Sequence, residues 1–397
     1  MSHVNSLLQK YGQFGKNEDN SITRIGGSPV YYQVVEAVRR EMDALGIKTD
    51  VDPVGNLHGY YPGADKNARS IVIGSHLDTV INGGVFDGML GVVAGIEVVK
   101  RLIDEKKQLR HPIELFGFNL EESSPLGGTF GSRCVTGMID TKIPNFEANL
   151  ARFGWTLDDV LASRRDVSRF MCYLEYHIEQ GDYLDSHQLD IGAVSGIVGI
   201  VRYTVKSIGM SNHAGTTMMS TRRDALVAMS KLIVASDKIA RSLSDTLVFT
   251  VGKISVQPGQ ENVIPGICEA TFEFRHMNRD ILDTFFAKIK ETAESIPECT
   301  FVFTNTCAKY ATECDERLIR IIDDAAEKVH ASHLVMPSGA GHDANAMAHE
   351  GVPIGMIFVP SVAGISHHGK EWTCEKHVDI GTDVLYNAVL TIDKEDF

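Results

Sequence analysis

The sequence predicts an α/β fold in which an open sheet is flanked by helices and a second, α+β unit is inserted. Apolar runs with strand character at 70–79 and 111–124 lie on either side of a helical stretch at 88–107. Both runs end in acidic residues or histidine, and ligands of open α/β sheets bind beyond the carboxyl ends of the strands. Farther along, a β-α-β-β-α-β order over 199–309 is typical of a ferredoxin-like unit. We therefore expect two domains, which agrees with a length of 397 residues.

The first part of the chain alternates helices and strands. Apolar positions recur at helical spacing from Tyr31 to Leu45, and Gly46 stands where a glycine commonly ends a helix. The next stretch, 47–63, alternates polar and apolar residues like a pair of strands. The strand, helix and strand that follow complete the pattern of an open α/β sheet.

The second part of the chain contains the inserted unit. After Gly199, six elements follow in the order strand, helix, strand, strand, helix, strand, and they are compact enough to form a domain of their own. Residues 337–361 then return to a helix followed by an apolar strand. The sequence therefore predicts a discontinuous catalytic domain, 1–198 and 310–397, with the domain 199–309 between its two parts.

Composition excludes several classes of partner. Lys and Arg total 38 against 52 Asp and Glu, so the net charge is −14 and no basic surface is expected for nucleic acid or anionic lipid. No stretch stays apolar over the length of a membrane span, and the N-terminus lacks the apolar core and cleavage site of a signal peptide. The seven cysteines are odd in number and never in C-x-x-C spacing, which fits free thiols in a reducing cytoplasm. We expect a cytoplasmic protein whose partners are small molecules and other copies of itself.

The stretch GSHLDTVINGGVFDG, 74–88, places potential metal ligands at a strand end and in a glycine turn. His76 and Asp78 are two residues apart on a strand, so they share a face, and a carboxylate behind a metal-bound imidazole fixes its tautomer. Asp87 follows an Asn-Gly-Gly turn that would fold it back toward the same point. A structural or capping role for these residues is an equal alternative at this stage.

Two adjacent carboxylates, Glu121 and Glu122, follow the next predicted strand. Neighbouring carboxylates repel each other and lose hydration on burial, and a cation or a raised pKa relieves that cost. One of them would bind a metal ion while the other exchanges a proton with water. The alternative is two solvated acids at the start of a loop.

Two histidines complete the candidate set. His177 lies in LEYHIEQGDYLD, where a satisfied core histidine is the alternative interpretation, and His367 follows the Gly-Ile-Ser turn of SVAGISHHGKE. Three imidazoles and two carboxylates are donors that suit Zn, Mn, Co or Ni, and they do not indicate a thiolate-lined structural zinc site. With Asp87 shared, we expect two divalent ions per subunit, one on His76, Asp87 and His177, the other on Asp87, Glu122 and His367.

The inserted unit has polar groups of its own. His213 lies in the glycine-flanked stretch SNHAGTT, Asn262 lies in a turn, and Arg275 lies at a strand end. These residues would donate to a developing oxyanion, bind a carbonyl and bind a carboxylate, respectively. A turn-stabilising asparagine and a surface arginine are the equal alternatives.

The combination of motifs is more specific than any one of them. Over nearly the whole chain, the following occur in order: GSHLDTVINGGVFDGMLGV, NLEESS, EYHIEQG, SNHAGTT, ENVIPG, AGHDA and GISHHGKE. Together they resemble the di-metal amidohydrolases of the aminoacylase/carboxypeptidase superfamily. Within it they are similar to the hydantoinase/carbamoylase branch, which contains N-carbamoyl-L-amino-acid hydrolases, β-ureidopropionases and allantoate amidohydrolases. The HIEQG motif marks this branch, since peptidase relatives usually carry an acid at the position of His177.

The resemblance implies an architecture and roles for residues of this chain. The architecture is a di-metal exopeptidase-like catalytic domain with a mixed central sheet, plus an inserted ferredoxin-like lid and dimerisation domain. Five residues are implied as metal ligands: His76, Asp87, Glu122, His177 and His367. Asp78 is implied to orient His76, and Glu121 is implied to be the general base. His213 would act in the active site of the partner subunit of a homodimer, and the implied substrate contacts are Asn262 and Arg275 at the carboxylate end, with Gln180 as a further candidate.

We therefore expect a hydrolase of carbon-nitrogen bonds other than peptide bonds. Its expected substrate is a small N-carbamoyl amino acid, L-α or β, whose linear amide or ureido C–N bond is cleaved with release of ammonia and carbon dioxide. The alternatives are allantoate or another ureide, a dipeptide or acylated amino acid, and a metal-free binding protein. The chain departs from the branch in SSPLGG after Glu122, where a small residue, Arg and Phe are common, and in the absence of a proline after the threonines of SNHAGTTMM.

Overall fold

The computed structural model describes residues 2–395, and the chain divides into two compact units. The larger unit is Met1–Ile197 together with Glu313–Phe397, and the smaller unit is Val198–Thr312. The limits expected from the sequence differ from these by one residue at the first boundary and by three at the second.

Helices and strands alternate along most of the chain. The helices are α1 (His3–Tyr11), α2 (Pro29–Ala44), α3 (Met89–Asp104), α4 (Phe130–Thr136), α5 (Phe146–Ala151), α6 (Leu157–Ala162), α7 (Tyr183–Ser186), α8 (Ala225–Leu243), α9 (Arg279–Glu294), α10 (Glu316–Lys328), α11 (Ala344–His349) and α12 (Glu375–Ile392). The strands are β1 (Lys48–Val51), β2 (Leu57–Tyr61), β3 (Ser70–His76), β4 (Ile113–Phe118), β5 (Phe170–Ile178), β6 (Ile191–Ile197), β7 (Gly199–Ile208), β8 (Val248–Gln257), β9 (Ile267–His276), β10 (Thr300–Lys309), β11 (Thr312–Glu313), β12 (His333–Ser338) and β13 (Ile354–Val359).

Local signals set the ends of the predicted elements. The Ser28 hydroxyl accepts the N–H of Tyr31 at the start of α2, where Pro29 occupies the first turn. Gly46 follows the end of this helix with a φ of 76°, as expected for a terminating glycine. The sequence pattern predicts this helix from Tyr31 to Leu45, within two residues of its observed limits, Pro29–Ala44.

The larger unit is built on a mixed sheet. Its strand order is β1-β2-β4-β3-β5-β13-β6-β11, and β12 pairs with β6. The central strands β4, β3, β5 and β13 are parallel, whereas β1, β2 and β6 join by antiparallel pairing. All residues of β3 and β5 are buried, as expected for parallel strands covered on both faces. The predicted α/β class with a mixed central sheet is confirmed.

The smaller unit is a four-stranded antiparallel sheet with two helices. Its strand order is β10-β7-β9-β8. Helices α8 and α9 pack on the sheet through a core that includes Met229, Leu232, Phe272, Phe274 and Phe285. This is the β-α-β-β-α-β arrangement that the sequence predicts.

Two further expectations concern thiols and membranes. All seven cysteines lie in the described part of the chain, and each carries a free thiol. Among residues 2–395, no helix has both the length and the apolar character needed to cross a bilayer.

Candidate metal centre

Asp87 lies at the centre of three histidines. Its Oδ1 is 3.3 Å from His76 Nε2 and 3.1 Å from His177 Nε2, and its Oδ2 is 3.1 Å from His367 Nε2. His367 Nε2 is also 3.3 Å from Glu122 Oε1. The fold thus brings together all five residues expected as metal ligands, although they come from separate segments of the chain.

Strand ends and a glycine turn produce this convergence. Because β3 and β5 are parallel neighbours, His76 and His177 reach the same edge of the sheet. Asn82 adopts a left-handed conformation in the turn that returns Asp87 to this edge. Gly88 has a φ of 70°, and a Cβ at this position would lie 2.5 Å from the His76 ring. Only glycine therefore fits directly after Asp87.

Backbone carbonyls fix the orientation of two of the rings. His76 Nδ1 donates to the carbonyl of Asp78 at 3.0 Å, and His177 Nδ1 donates to the carbonyl of Ile178 at 2.8 Å. A carbonyl only accepts, so Nδ1 carries a proton on both rings and Nε2 is the atom that faces Asp87. A metal-bound imidazole has this arrangement, with its other nitrogen donating to the protein.

Two triads of the cluster match the expected ligand sets, and the described residues hold two further groups of neighbouring ligand atoms: Glu175, His177 and His342, and His76, Glu121 and Glu122. The triads are His76, Asp87 and His177, and Asp87, Glu122 and His367. Bond lengths of about 2.1 Å in tetrahedral geometry separate two ligand atoms by about 3.4 Å. The nitrogen–oxygen distances of 3.1 to 3.3 Å in the triads are close to that separation. The first triad is buried, whereas the His367 side chain is 49% exposed, so the cluster opens on the side of the second triad.

Asp78 supports the centre differently from the way expected. Its carboxylate is 3.7 Å from His76 Nδ1, beyond hydrogen-bonding distance, and the ring is held by its backbone carbonyl instead. The carboxylate accepts the backbone N–H of Glu121 and the backbone N–H of Glu122, each at 3.2 Å. Asp78 therefore orients His76 through its main chain and fixes the two glutamates through its side chain.

The two glutamates hold protons more tightly than glutamate normally does. Burial holds the pKa of Glu121 well above its usual value, against the opposing charge of His76 and with the support of nearby carboxylates. Burial also raises the pKa of Glu122 to about 7, and the charge of Asp87 adds to the effect. Glu122 can therefore exchange a proton near neutral pH when no cation is bound, and Glu121 keeps its proton to higher pH than glutamate normally does.

Asp87 is the carboxylate that remains ionised. Burial alone would raise its pKa, but hydrogen bonds from the three histidines hold it well below the usual value. Conversely, the hydrogen bond to Asp87 raises the pKa of His367 to about 9. Asp87 thus stays ionised beside the imidazoles in the ion-free chain, and divalent ions would compete with protons for the imidazole nitrogens.

Gln180 lies beside the second triad. Its Nε2 donates to Asp87 Oδ2 at 3.1 Å and lies 3.3 Å from His367 Nε2. The residue has a φ of 62°, and its backbone N–H donates to the Ser361 hydroxyl at 3.0 Å. The amide therefore borders the open side of the cluster, where a substrate contact was expected.

The chain is similar to known proteins over most of its length. The sequence profile of peptidase family M20/M25/M40 matches residues 72–391, most of the chain. The chain belongs to this family. An N-carbamoyl-L-amino-acid amidohydrolase from a Pseudomonas species is 33% identical over 399 residues, covering 96% of each chain. An allantoate amidohydrolase from Escherichia coli is 33% identical over 384 residues, covering 93% of this chain and 92% of the relative.

Solved structures agree with the family assignment. The crystal structure of an amidase of the hydantoinase/carbamoylase family from Burkholderia multivorans has a TM-score of 0.89 and 27% identity, covering 99% of this chain and 98% of the other. The resemblance to the hydantoinase/carbamoylase branch is confirmed, and this M20 protein is a hydrolase.

Three candidate residues of the M20 protein lie in its smaller unit. The loops of His213 and Asn262 are adjacent: His213 forms an isolated bridge with Val263, and the N–H of Ala214 donates to the Asn262 carbonyl at 3.0 Å. Arg275 lies near the other end of β9, opposite Ile200, and is paired with Glu273 at 2.7 Å. Two of the three expected residues therefore come together, and Arg275 is separate from them within this unit.

Other buried groups near the cluster were not predicted from the sequence. His342 of the AGHDA motif is buried with its ring centroid 4.8 Å from that of His177, and its Nε2 is 2.8 Å from the Ser338 hydroxyl. Glu175 accepts the Ser75 hydroxyl at 3.0 Å and the N–H of Ala344 at 2.9 Å. Strand alternation gave a signal for Glu175, since it shares a face with His177 two residues later.

The SSPLGG segment forms a closed turn. The Ser124 hydroxyl donates to the Gly127 carbonyl at 2.8 Å, and Leu126 is fully buried in a cluster with Phe130 and Trp155. The N–H of Thr129 then donates to the Glu121 carbonyl at 2.7 Å. The segment that departs from the branch motif is therefore a loop held in place by hydrogen bonds and by the burial of Leu126, and its end is hydrogen-bonded to the backbone of Glu121.

Proposed function

We propose that this M20 protein hydrolyses the carbamoyl group of a small N-carbamoyl amino acid, of the L-α or β type, with the aid of two divalent metal ions. The observation that carries the proposal is the complete ligand set around Asp87, with Glu121 directly beside the ligand Glu122. The 33% identity to an N-carbamoyl-L-amino-acid amidohydrolase over almost the whole chain supports the substrate class. Cleavage of the C–N bond to the amino acid leaves carbamic acid, which decomposes to ammonia and carbon dioxide.

The proposed ligands divide as the two triads do, and their imidazole and carboxylate donors suit Zn, Mn, Co or Ni. When bound, such ions supply Lewis-acid activation of the substrate carbonyl and of the attacking water. Asp87 would be shared between them. His177 argues against the dipeptidase alternative, because peptidase relatives usually carry an acid at this position.

Glu121 is the proposed general base. Its raised pKa allows it to accept a proton from the attacking water and to transfer that proton to the leaving nitrogen. The Asp78 carboxylate holds the backbone of Glu121 during both transfers. Glu121 therefore ends each cycle in its initial protonation state.

His213 is the proposed oxyanion donor. Its Nδ1 accepts the backbone N–H of Gly215 at 3.0 Å, so Nε2 carries the ring proton and is able to donate. Such a donor stabilises the negative charge that develops on the attacked carbonyl oxygen.

We further propose a homodimer in which the smaller unit supplies His213 and Asn262 to the substrate site of the partner copy. The geometry of β9 supports this, because Arg275 is eight residues beyond Ile267, the first residue of the strand. At about 3.3 Å per residue the two positions are about 26 Å apart, and Asn262 lies before Ile267. We therefore propose that a small substrate that contacts both Asn262 and Arg275 takes them from different copies.

A cytoplasmic location belongs to the same proposal. The seven free thiols support it, since disulfides are rare in reducing compartments.

Allantoate is the second candidate substrate. The allantoate amidohydrolase from Escherichia coli matches this chain with the same identity, 33%, as the carbamoylase does. Both substrates are ureido acids, so the same ligands and base would serve either reaction. The difference lies in groups that contact the remainder of the substrate.

The test of the function is ammonia release from a panel of N-carbamoyl-L-α-amino acids, N-carbamoyl-β-alanine and allantoate, with Mn, Co or Zn supplied. We expect wild-type activity on a carbamoyl amino acid and a loss of about 100-fold or more in kcat for Glu121→Gln. Glu147→Gln, a change on the exposed surface of α5, serves as the matched control. Equal rates for wild type and Glu121→Gln would contradict the base assignment, and activity on allantoate alone would favour the second candidate.

Mixing two inactive variants tests the dimer. Glu121→Gln and His213→Ala are each expected to be inactive, but random mixed dimers should recover about a quarter of wild-type activity, since half of them carry one complete site. No recovery after confirmed subunit exchange would mean that His213 serves its own chain, and an active His213→Ala variant would mean that His213 has no catalytic role.

A further inference from the structure

Glu371 connects the two loops that carry Asp87 and His367. Its side chain is buried, with a residue exposure of 5%. Oε1 accepts the backbone N–H of Phe86 at 3.0 Å and the backbone N–H of Asp87 at 3.1 Å. Oε2 accepts the Ser366 hydroxyl at 3.0 Å. One carboxylate thus fixes the main chain of the shared ligand and the residue preceding His367.

The turn before Asp87 is shaped to admit this carboxylate. A Cβ on Gly84 would lie 2.1 Å from Glu371 Oε1, so this position has room for a hydrogen atom only. Trp372, which follows Glu371 in the chain, packs edge-on against Phe86 with ring centroids 5.6 Å apart. Both contacts hold the segment around Glu371 against the Asp87 turn.

We propose that Glu371 is a positioning residue that holds Asp87 and His367 in the relative placement that two divalent ions require. The inference rests on the proposed function only in assuming that the two triads bind ions. Glu371 belongs to neither triad and acts through the backbone of Asp87 and through Ser366.

The hydrogen bonds of Glu371 allow a positioning role to be distinguished from an effect of its negative charge. Oε1 alone accepts both backbone N–H groups, so the carbonyl oxygen of a glutamine would keep both hydrogen bonds. The glutamine Nε2 would then donate to the Ser366 hydroxyl, which accepts as well as donates. A positioning role therefore survives Glu371→Gln, whereas a role that depends on negative charge does not.

The experiment measures metal binding to the purified full-length chain without substrate. Co²⁺ is titrated in competition with a chelating indicator, and the visible absorption of bound Co²⁺ reports coordination at both triads. Glu371→Ala should weaken both ions by about 10- to 100-fold, since Asp87 is common to the triads. Glu371→Gln should restore wild-type affinity and absorption to within about threefold, within the net worth of one hydrogen bond.

Ser366→Ala is the second variant, in case Glu371→Ala fails to fold. It leaves the backbone of Asp87 bound and removes the contact beside His367. We expect about fivefold weaker binding of one ion, that of the His367 triad, with the other unchanged. Glu375→Gln, an exposed change in the first turn of α12, is the matched control and should bind as wild type does.

Three results would overturn the proposal. Wild-type binding by both Glu371→Ala and Ser366→Ala would exclude a positioning role. Equal loss in Glu371→Ala and Glu371→Gln would assign the effect to charge. A wild-type chain that binds no ion would overturn both this proposal and the metal dependence of the proposed function. A chain that binds two ions but releases no ammonia would contradict only the proposed substrate and would leave the role of Glu371 intact.

Discussion

The Nδ1–H of His76 donates to the backbone carbonyl of Asp78 at 3.0 Å, although the carboxylate of Asp78 lies in the same region at 3.7 Å. The main chain therefore sets the orientation of the ring. The carboxylate remains available for the backbone of Glu121 and Glu122, which it accepts at 3.2 Å each. One residue thus fixes a candidate ligand with its main chain and the candidate base with its side chain.

Asp78→Asn should separate these two functions. An asparagine offers one acceptor atom, so one of the two backbone N–H groups of Glu121 and Glu122 would face an NH₂ group. We expect kcat to fall about 10- to 100-fold, while two ions per chain are retained because the carbonyl still orients His76. Ammonia release and elemental analysis measure the two quantities.

Asp104→Asn, at the exposed end of α3, is the control for that variant. If Asp78→Asn instead loses an ion, the carboxylate also holds the His76 ring.

Gly88→Ala should abolish binding at the first triad. The added Cβ would lie 2.5 Å from the His76 ring and would also require an alanine at a φ of 70°. Gly46→Ala provides a matched control, since its φ is 76° but its Cβ would have no atom within 4 Å. We expect Gly46→Ala to lose about 1 kcal/mol of unfolding free energy and no ion.

Isothermal titration with Zn²⁺ measures the ions bound by each glycine variant. Equal metal binding by the two would mean that the His76 ring can move aside at little cost.

Glu121→Gln and Glu122→Gln should differ in metal content even if both are inactive. Glu122 Oε1 belongs to the triad of Asp87 and His367, whereas Glu121 belongs to neither expected triad and is the proposed base, although its carboxylate lies near His76 and Glu122. Glu122→Gln should therefore bind one of the two ions at least about tenfold more weakly, and Glu121→Gln should bind both. Metal analysis after dialysis against a weak chelator separates the variants. Loss of an ion from Glu121→Gln would make that residue a ligand rather than the base.

The stability of the larger unit should depend on pH through His58. Its Nδ1 is 2.8 Å from Asp50 Oδ1, its Nε2 is 2.8 Å from Glu114 Oε2, and Arg165 pairs with Asp50. Burial opposes the charged ring, but the two carboxylates raise the pKa of His58 above its usual value. The folded state therefore binds the proton more tightly than the unfolded state does. This contribution is fully present below the unfolded pKa of about 6.5 and is lost as the pH rises through the folded pKa.

His58→Gln should remove that dependence. Both tryptophans, Trp155 and Trp372, belong to the larger unit, so their fluorescence during urea unfolding reports on it. The difference in unfolding free energy between wild type and His58→Gln should be larger at about pH 6 than at about pH 9. His349→Gln, on the exposed end of α11, should show no such change. A constant difference across this range would exclude a proton-linked role for His58.

Much of the fold was predictable because its signals are local. Helix α3 was expected at 88–107 and spans Met89–Asp104, and the six elements of the smaller unit appear in the predicted order. Apolar periodicity, capping residues and glycines act over a few neighbouring residues, so they are visible in a linear sequence. The candidate ligands were also identifiable, since imidazoles and carboxylates at strand ends form a recognisable pattern.

The contacts that complete the site were not predictable in the same way. Glu371 is far from Asp87 in sequence, and its hydrogen bonds go to backbone groups, which no motif marks. The same holds for Asp78. Its carboxylate was expected to bind His76, but it accepts the backbone N–H groups of Glu121 and Glu122 instead. Backbone donors are present at every residue, so only the path of the chain decides which of them a carboxylate meets.

By itself, the sequence determined the fold class, the inserted unit, the residue types of the centre and their order along the chain. Tertiary structure alone decided that Asp87 stands between the three histidines, that His213 and Asn262 share one end of the smaller unit, and that Arg275 occupies the other. The physical reason is that periodicity and motif identity depend on neighbours in the chain, whereas ligand geometry depends on which strand ends meet. Parallel pairing of β3 with β5 and the fold-back after Asn82 bring His76, His177 and Asp87 to one point, and neither can be obtained from spacing alone.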